Sequence, residues 1–299
     1  MNELLVEDVA RGAALGPAPE LQPGPRTGVA RFFLRRPGLV VSIVFVVLVA
    51  LAAFWPGLFT NRDPLTGVPE DLFQAPSSAH WFGTDELGRD LFSRVVHGAH
   101  LSLKATLIAV AVAFVSGGLL GLLAGFVGGW LDDVLMRVID VVLSIPALFL
   151  SLALVTALGY GTVKVAVAVG IASVASFARV MRAEVLRVRQ SVFVEAARAC
   201  GARWYSVLGR HVLPNALGPV LVLATLEFGL AILSVSSLSF LGYGAPPPAP
   251  EWGTLISGGR NYLANAWWLT ALPGLTIVAT VLATNRIARA LDGEWVKQR

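Results

Sequence analysis

Apolar residues in this chain gather into six runs with few charges, and polar residues are confined to the stretches between them. The runs are Leu39 to Phe59, Leu101 to Val127, Val138 to Leu158, Val163 to Ala178, Ala216 to Leu241 and Trp267 to Ile287. Each is of about the length that crosses a bilayer core, where backbone N–H and C=O groups must be satisfied internally. The pattern predicts an all-α polytopic membrane protein with six transmembrane helices. Residues 11–28 are rich in Pro, Gly and Ala without apolar periodicity, so residues 1–30 are expected to be a flexible tail and 31–299 a transmembrane domain. That domain divides into a first span near 39–59, an external loop at 60–100, and a five-helix core at 101–287 holding an inside segment at 181–214.

Composition agrees: of 299 residues, 56% are hydrophobic and 14% charged, a balance outside that of soluble domains. The formal charge of +4 would raise nucleic-acid binding for a soluble chain. Here its distribution explains it as topology. With a cytoplasmic N-terminus, 17 Lys and Arg fall inside and 6 outside, so the positive-inside rule puts both termini in the cytoplasm. The single Cys200 leaves no pair for a disulfide or metal site. Trp252, Tyr262, Trp267 and Trp268 suit an interfacial aromatic belt.

Local features refine the helices. Gly117, Gly121, Gly125 and Gly129 form an i, i+4 ladder that predicts close helix packing, within the chain or with a partner. Ser144-Ile145-Pro146 and Pro273-Gly274 are expected to bend the third and sixth spans. Asp85 can cap an external helix beginning near Glu86, and Arg89 with Asp90 can pair locally or with a partner subunit. Asp132, Asp133 and Arg137 suit capping and ion pairing at an inside junction. His97 and His100 share a helical face without a third ligand, so no metal site is expected there.

The inside segment Glu195 to Pro214, EAARACGARWYSVLGRHVLP, reads as a cytosolic helical element between two apolar runs. A separate short helix is expected near Ser191 to Ser206, with Ser191 capping it and Gly201 breaking or tightening it. Ala196 and Ala197 keep one face low, while Arg198 and Arg203 can reach acidic groups on a partner. Contact with anionic lipid is the alternative.

Glu195-Ala196-Ala197, then Gly201, then Leu213-Pro214 resemble the EAA loop of ABC importer permeases. Arg210 to Asn215, Phe82-Gly83-Thr84-Asp85 with Gly88-Arg89-Asp90, Gly128 to Asp132, Leu238 to Gly242, and Pro250-Glu251-Trp252-Gly253 are similar to the peptide and nickel branch, in its C-type half. The resemblance covers about residues 30–292. It implies a type I importer permease in a bacterial cytoplasmic membrane, paired with a homologous B-type permease, two cytoplasmic ATPases and an extracytoplasmic solute-binding protein, and in contact with membrane lipid but no nucleic acid. Glu195, Ala196, Ala197, Arg198, Gly201 and Arg203 would then dock in an ATPase groove. ATP and Mg would be held by the ATPases, and no cofactor by this chain. The implied solutes are dipeptides or oligopeptides, with nickel chelates, glutathione or another small solute as alternatives.

The chain departs from the branch at Val235, where a carboxylate is common, and carries Glu227 two turns earlier. An acid within a span is costly unless paired or wetted, so Glu227 is a translocation-path candidate, with a packing hydrogen bond as its other reading. Lys104, Lys164 and Lys297 all follow residues other than Gly, so the chain holds no GxxxxGK[ST] phosphate loop. No nucleophile with a base is visible, and no enzyme activity is expected of this subunit. An ATP-independent channel or secondary transporter fits the composition but leaves the EAA segment without a purpose.

Overall fold

The computed structural model describes residues 36–297, with side chains described to 290. The expected tail lies outside the described residues. The chain divides into units at Pro37 and Gly38, and the fold below is that of the second unit.

Among the described residues ten α-helices build it. α1 is Pro37–Phe54, α2 Leu91–Val127, α3 Gly129–Leu143, α4 Ala147–Leu158, α5 Thr162–Arg189, α6 Val192–Ala199, α7 Trp204–Val207, α8 Leu213–Phe240, α9 Trp252–Gly259 and α10 Trp268–Lys297. Five stretches are long and apolar enough to cross a membrane: α1, α2, α5, α8 together with the segment from Trp204, and α10. The third expected span is instead two helices, α3 and α4, meeting at 93°. Pro146 lacks the N–H that would continue the ladder, and Ser144 turns its hydroxyl back onto the Val141 carbonyl at 2.7 Å. α10, in contrast, runs through Pro273 without interruption. There the proline lies in the second turn, where few ladder bonds precede it.

α2 and α5 form the centre of the bundle and run in the same direction. A Cβ at Gly117 would meet the Val174 carbonyl and Phe177, at Gly121 the Ala178 carbonyl and Met181, and at Gly125 Val185. Gly170 on α5 returns the fit against Ala109 and Val112. The ladder therefore serves an interface inside the chain, along about 24 Å from Ala109 to Gly125 at 1.5 Å per residue. Gly129 is not part of it. With φ of +62° and open space around it, Gly129 joins Gly128 (φ +73°) in the reversal between α2 and α3.

Two ion pairs then tie α3 to α5. Arg182 donates from Nε and Nη2 to the two oxygens of Asp132 at 2.5 and 2.6 Å. Arg179 reaches Asp140 at 2.6 Å. Bidentate geometry makes the first of these the stronger positional constraint.

At the other end of the bundle the expected loop 60–100 is shorter, because α2 begins at Leu91. Its cap is Asp90, which accepts the Ser93 N–H at 2.8 Å. No helix starts near Glu86. Asp85 accepts instead from the Leu87 and Arg89 N–H groups, each at 3.0 Å, and closes a turn. Arg89 pairs with Asp85 rather than with Asp90, whose carboxylate faces His80 and Arg62. Asp63 is held below the usual carboxylate range by the Leu65 N–H first and the Thr66 hydroxyl second, fixing another turn.

The aromatic belt is corrected at two positions. Trp252 and Trp268 are core residues, 1% and 6% exposed. Each indole N–H is spent on a carbonyl, Val95 at 2.9 Å and Thr84 at 3.2 Å, which permits full burial. Tyr262 packs tilted against Phe73 at 4.8 Å between ring centres, and Trp267 alone of the four is mostly exposed.

Candidate functional site

α5 leaves the bundle at Arg189, and a single-turn reversal at Gln190-Ser191 starts α6. Ser191 sits at the capping position, but its hydroxyl donates backward to the Val188 carbonyl at 2.6 Å rather than accepting from α6. The short helix expected over 191–206 is two pieces, α6 and α7. Gly201 divides them with φ of +82°. The Ala202 N–H returns to Ala197 O at 3.0 Å and the Gly201 N–H to Arg198 O at 2.9 Å, the paired bonds of a Schellman stop. A side chain at Gly201 would meet no neighbour, yet it would have to occupy the left-handed backbone region.

Three valines fasten this segment. Val194, Val207 and Val212 are buried in one cluster with Phe177, Met181, Val185 and Val188 of α5 and with Ala216 and Val220 of α8. Fixing that face turns the opposite one outward. Glu195, Ala196, Arg198, Gly201 and Arg203 are exposed, and Ala197 is half-buried. Neither Glu195 nor Arg198 forms an ion pair among the described residues. Arg203 donates to the Tyr205 hydroxyl at 3.0 Å.

The exposed surface also carries Val192, Phe193, Trp204 and Tyr205, which sequence reasoning passed over. Trp204 lies against Phe126 and Tyr205, at 6.5 and 5.8 Å between ring centres. The readable signal was the Trp204-Tyr205 pair inside an otherwise polar stretch. Apolar and aromatic side chains around small residues, with unpaired charges of both signs, make a patch of the kind that binds protein.

Glu227 does not join this group. It lies on α8, half-buried, about 21 Å along the helix from Leu213 at 1.5 Å per residue. Ser173 of α5 lies near its carboxyl. Val235, by contrast, is 1% exposed and packed among Ala105, Val165, Val169 and Leu238, so an apolar residue is what that position accepts.

A carboxylate that sequence reasoning quoted without weighing is Glu251. It is 1% exposed, accepts from the Ser239 hydroxyl at 2.8 Å and the Ala245 N–H at 2.7 Å, and so ties the end of α8 to α9. His97 and His100 bond to the carbonyls of Ser93 and Ala53, and no metal-binding cluster is found among the described residues.

Residues 117–296, which span α3 to α10 and the Glu195–Gly201 segment, match the family described as binding-protein-dependent transport system inner membrane component. The chain belongs to that family. This permease is 39% identical over 252 residues to the dipeptide transport system permease protein DppC of Alkalihalophilus pseudofirmus, covering 84% of this chain and 83% of that one. It is 41% identical over 249 residues to the probable D,D-dipeptide transport system permease protein DdpC of Escherichia coli, covering 83% and 84%. It is also 40% identical over 262 residues to the glutathione transport system permease protein GsiD of Pectobacterium atrosepticum, covering 87% of each. Among solved structures the permease resembles a chain of the MetNI methionine ABC transporter, with a TM-score of 0.53, 20% identity, and coverage of 66% of this chain and 96% of that one. An amino acid ABC transporter gives 0.53 at 17% identity, covering 68% and 94%. Those two likenesses carry the fold, that of a type I importer permease.

Proposed function

We propose that this permease forms half of the path by which an ATP-driven importer takes up peptides, with the Glu195–Gly201 segment as its contact with an ATPase. The observation that supports this is the segment's build: anchored through Val194, Val207 and Val212, stopped by Gly201, and outward-facing at Glu195, Ala196, Arg198 and Arg203. Relatives of similar identity are named for dipeptide, D,D-dipeptide and glutathione transport, and glutathione is itself a peptide. A peptide class of solute is therefore favoured over a nickel chelate.

The complex would comprise a homologous B-type permease, two ATPases holding ATP and Mg, and an extracytoplasmic solute-binding protein. Both termini and the docking segment would be cytoplasmic, as the 17-to-6 split of basic residues suggests. ATP-driven closure of the ATPases displaces the docking segments, and the attached helix bundles rock to expose the path first to one side and then to the other.

Copurification of the permease with two ATPases, and ATP-dependent uptake by the reconstituted complex, test this reading; uptake driven by an ion gradient without ATP would sink it. Gly201→Leu is expected to lower uptake and transport-coupled ATP hydrolysis at least about tenfold with assembly retained, since its backbone strain of about 1–2 kcal/mol reshapes the docking surface rather than the bundle. Glu227→Gln tests the path residue. Slower uptake of peptides with a free ammonium group, at equal amounts of complex, is expected, and full activity across peptides would remove Glu227 from the path.

A further inference from the structure

Opposite the docking segment, the turn 85–89 and the start of α2 meet α9 around a cleft of about 120 Å³. Asp85, Glu86, Arg89 and Arg94 line one side, and Pro247, Pro248, Thr254 and Gly258 the other. The arginines are unusual for their burial: the side chains of Arg89 and Arg94 are 9% and 7% exposed. They share one buried carboxylate. Asp85 gives one oxygen to the Leu87 and Arg89 N–H groups and the other to Arg89 Nε at 2.7 Å. Arg89 is further served by Glu86 at 3.3 Å.

Arg94 is left short. Its Nε stands 3.5 Å from the already committed Asp85 oxygen and makes no hydrogen bond, and it is the only buried side-chain nitrogen or oxygen without one among the described residues. Its one hydrogen bond runs from Nη1 to the Pro64 carbonyl at 2.9 Å. A guanidinium offers five N–H donors in a planar fork, and leaving the buried Nε donor of Arg94 without an acceptor is costly.

We propose that this cleft is a carboxylate-binding site and that Arg94 is its principal donor. A carboxylate fits the fork bidentately and is small enough for the cleft. Either of two sources reaches this end of the bundle: an acidic side chain of the solute-binding protein, or the free terminus of a peptide. That assignment of sources rests on the importer reading; the existence of the site does not.

Acetate is the probe, added to the full complex in lipid nanodiscs with chloride at equal ionic strength as the control. The unfolding midpoint of the wild type is expected to rise by about 2 °C with acetate. Arg94→Lys removes the fork, but a buried substitution can disturb folding. Gly258→Leu avoids that, since a Cβ at Gly258 meets no atom within 4 Å and a larger side chain occupies the cleft. The acetate response is expected to vanish in Gly258→Leu. No response in the wild type, or the same response in Gly258→Leu, overturns the site whether or not the complex imports peptides. The source follows from a second measurement. An approximately tenfold rise, in Gly258→Leu, of the binding-protein concentration that half-maximally stimulates ATP hydrolysis assigns the carboxylate to that protein. An unchanged concentration, with lost preference for alanyl-alanine over its C-terminal amide, assigns it to the solute.

Discussion

Gly121→Leu is expected to remove the permease from the membrane. A Cβ at Gly121 meets the Ala178 carbonyl, the Met181 Cβ at 2.8 Å and the Arg182 backbone nitrogen at 2.9 Å. Backbone atoms have no rotamer to yield, so α2 and α5 must separate along their shared length. Overpacking costs about 1–3 kcal/mol in cores that can adjust, and this contact lies at or beyond the upper end. Separation also strains the Arg182–Asp132 pair, whose donor is on the next turn of the same helix. The measurement is the amount of folded subunit in membranes, expected to fall at least about tenfold, with Gly258→Ala as a glycine control in open space. Normal accumulation of Gly121→Leu would show that the helices are not held at this distance.

Trp252→Ala is expected to release the other end. The Trp252 side chain is buried in the cluster with Leu91, Val95, Leu255, Ala266 and Trp268. Its backbone N–H bonds to the Ser102 hydroxyl at 3.1 Å and its indole to Val95 O at 2.9 Å. Truncating a buried tryptophan costs about 3–5 kcal/mol through lost burial and the cavity left behind. The Val95 carbonyl loses the indole and keeps its place in the α2 ladder. Protease sensitivity confined to residues 243–266, with the rest of the bundle protected, is the expected result. Trp252→Phe, which keeps most of the volume and loses only the N–H, should lie between the two. Equal protection of all three proteins would deny Trp252 its role as the fastener of α9.

Much of this architecture was legible because bilayer thickness acts on sequence directly: five of six apolar runs became uninterrupted helices at nearly the expected positions. The third did not, since Pro146 announces a break without its angle, and 93° depends on how α3 packs on α2 and α5. The outer face was misread where two explanations share one residue type. Tryptophan suits an interface belt and a core equally well, and only the partners at Val95 and Thr84 separate them. Similarly, Asp85 and Asp90 are both plausible caps five residues apart, and the choice follows from contacts with Arg89, Arg62 and His80. In the Glu195–Gly201 segment the small and charged outward residues could be read directly. Its inward valines could not, because their partners are distant in sequence.

The glycine-lined seam between α2 and α5 also determines where the subunit can flex. A pair of helices in backbone contact over several turns, cross-tied to α3 by Arg182 and Arg179, behaves as one stiff beam, and α6 is joined to its end by only two residues. A push on α6 is therefore delivered undamped along the whole beam. The compliant joints lie outside it, at the proline elbow of Ser144 to Pro146 and at the Gly159 to Gly161 turn, whose glycines have φ of +89° and +123°. Between these two joints α4 stays seated on α5 through Val155 and Ser151, so any bending is taken up at its ends rather than along its length.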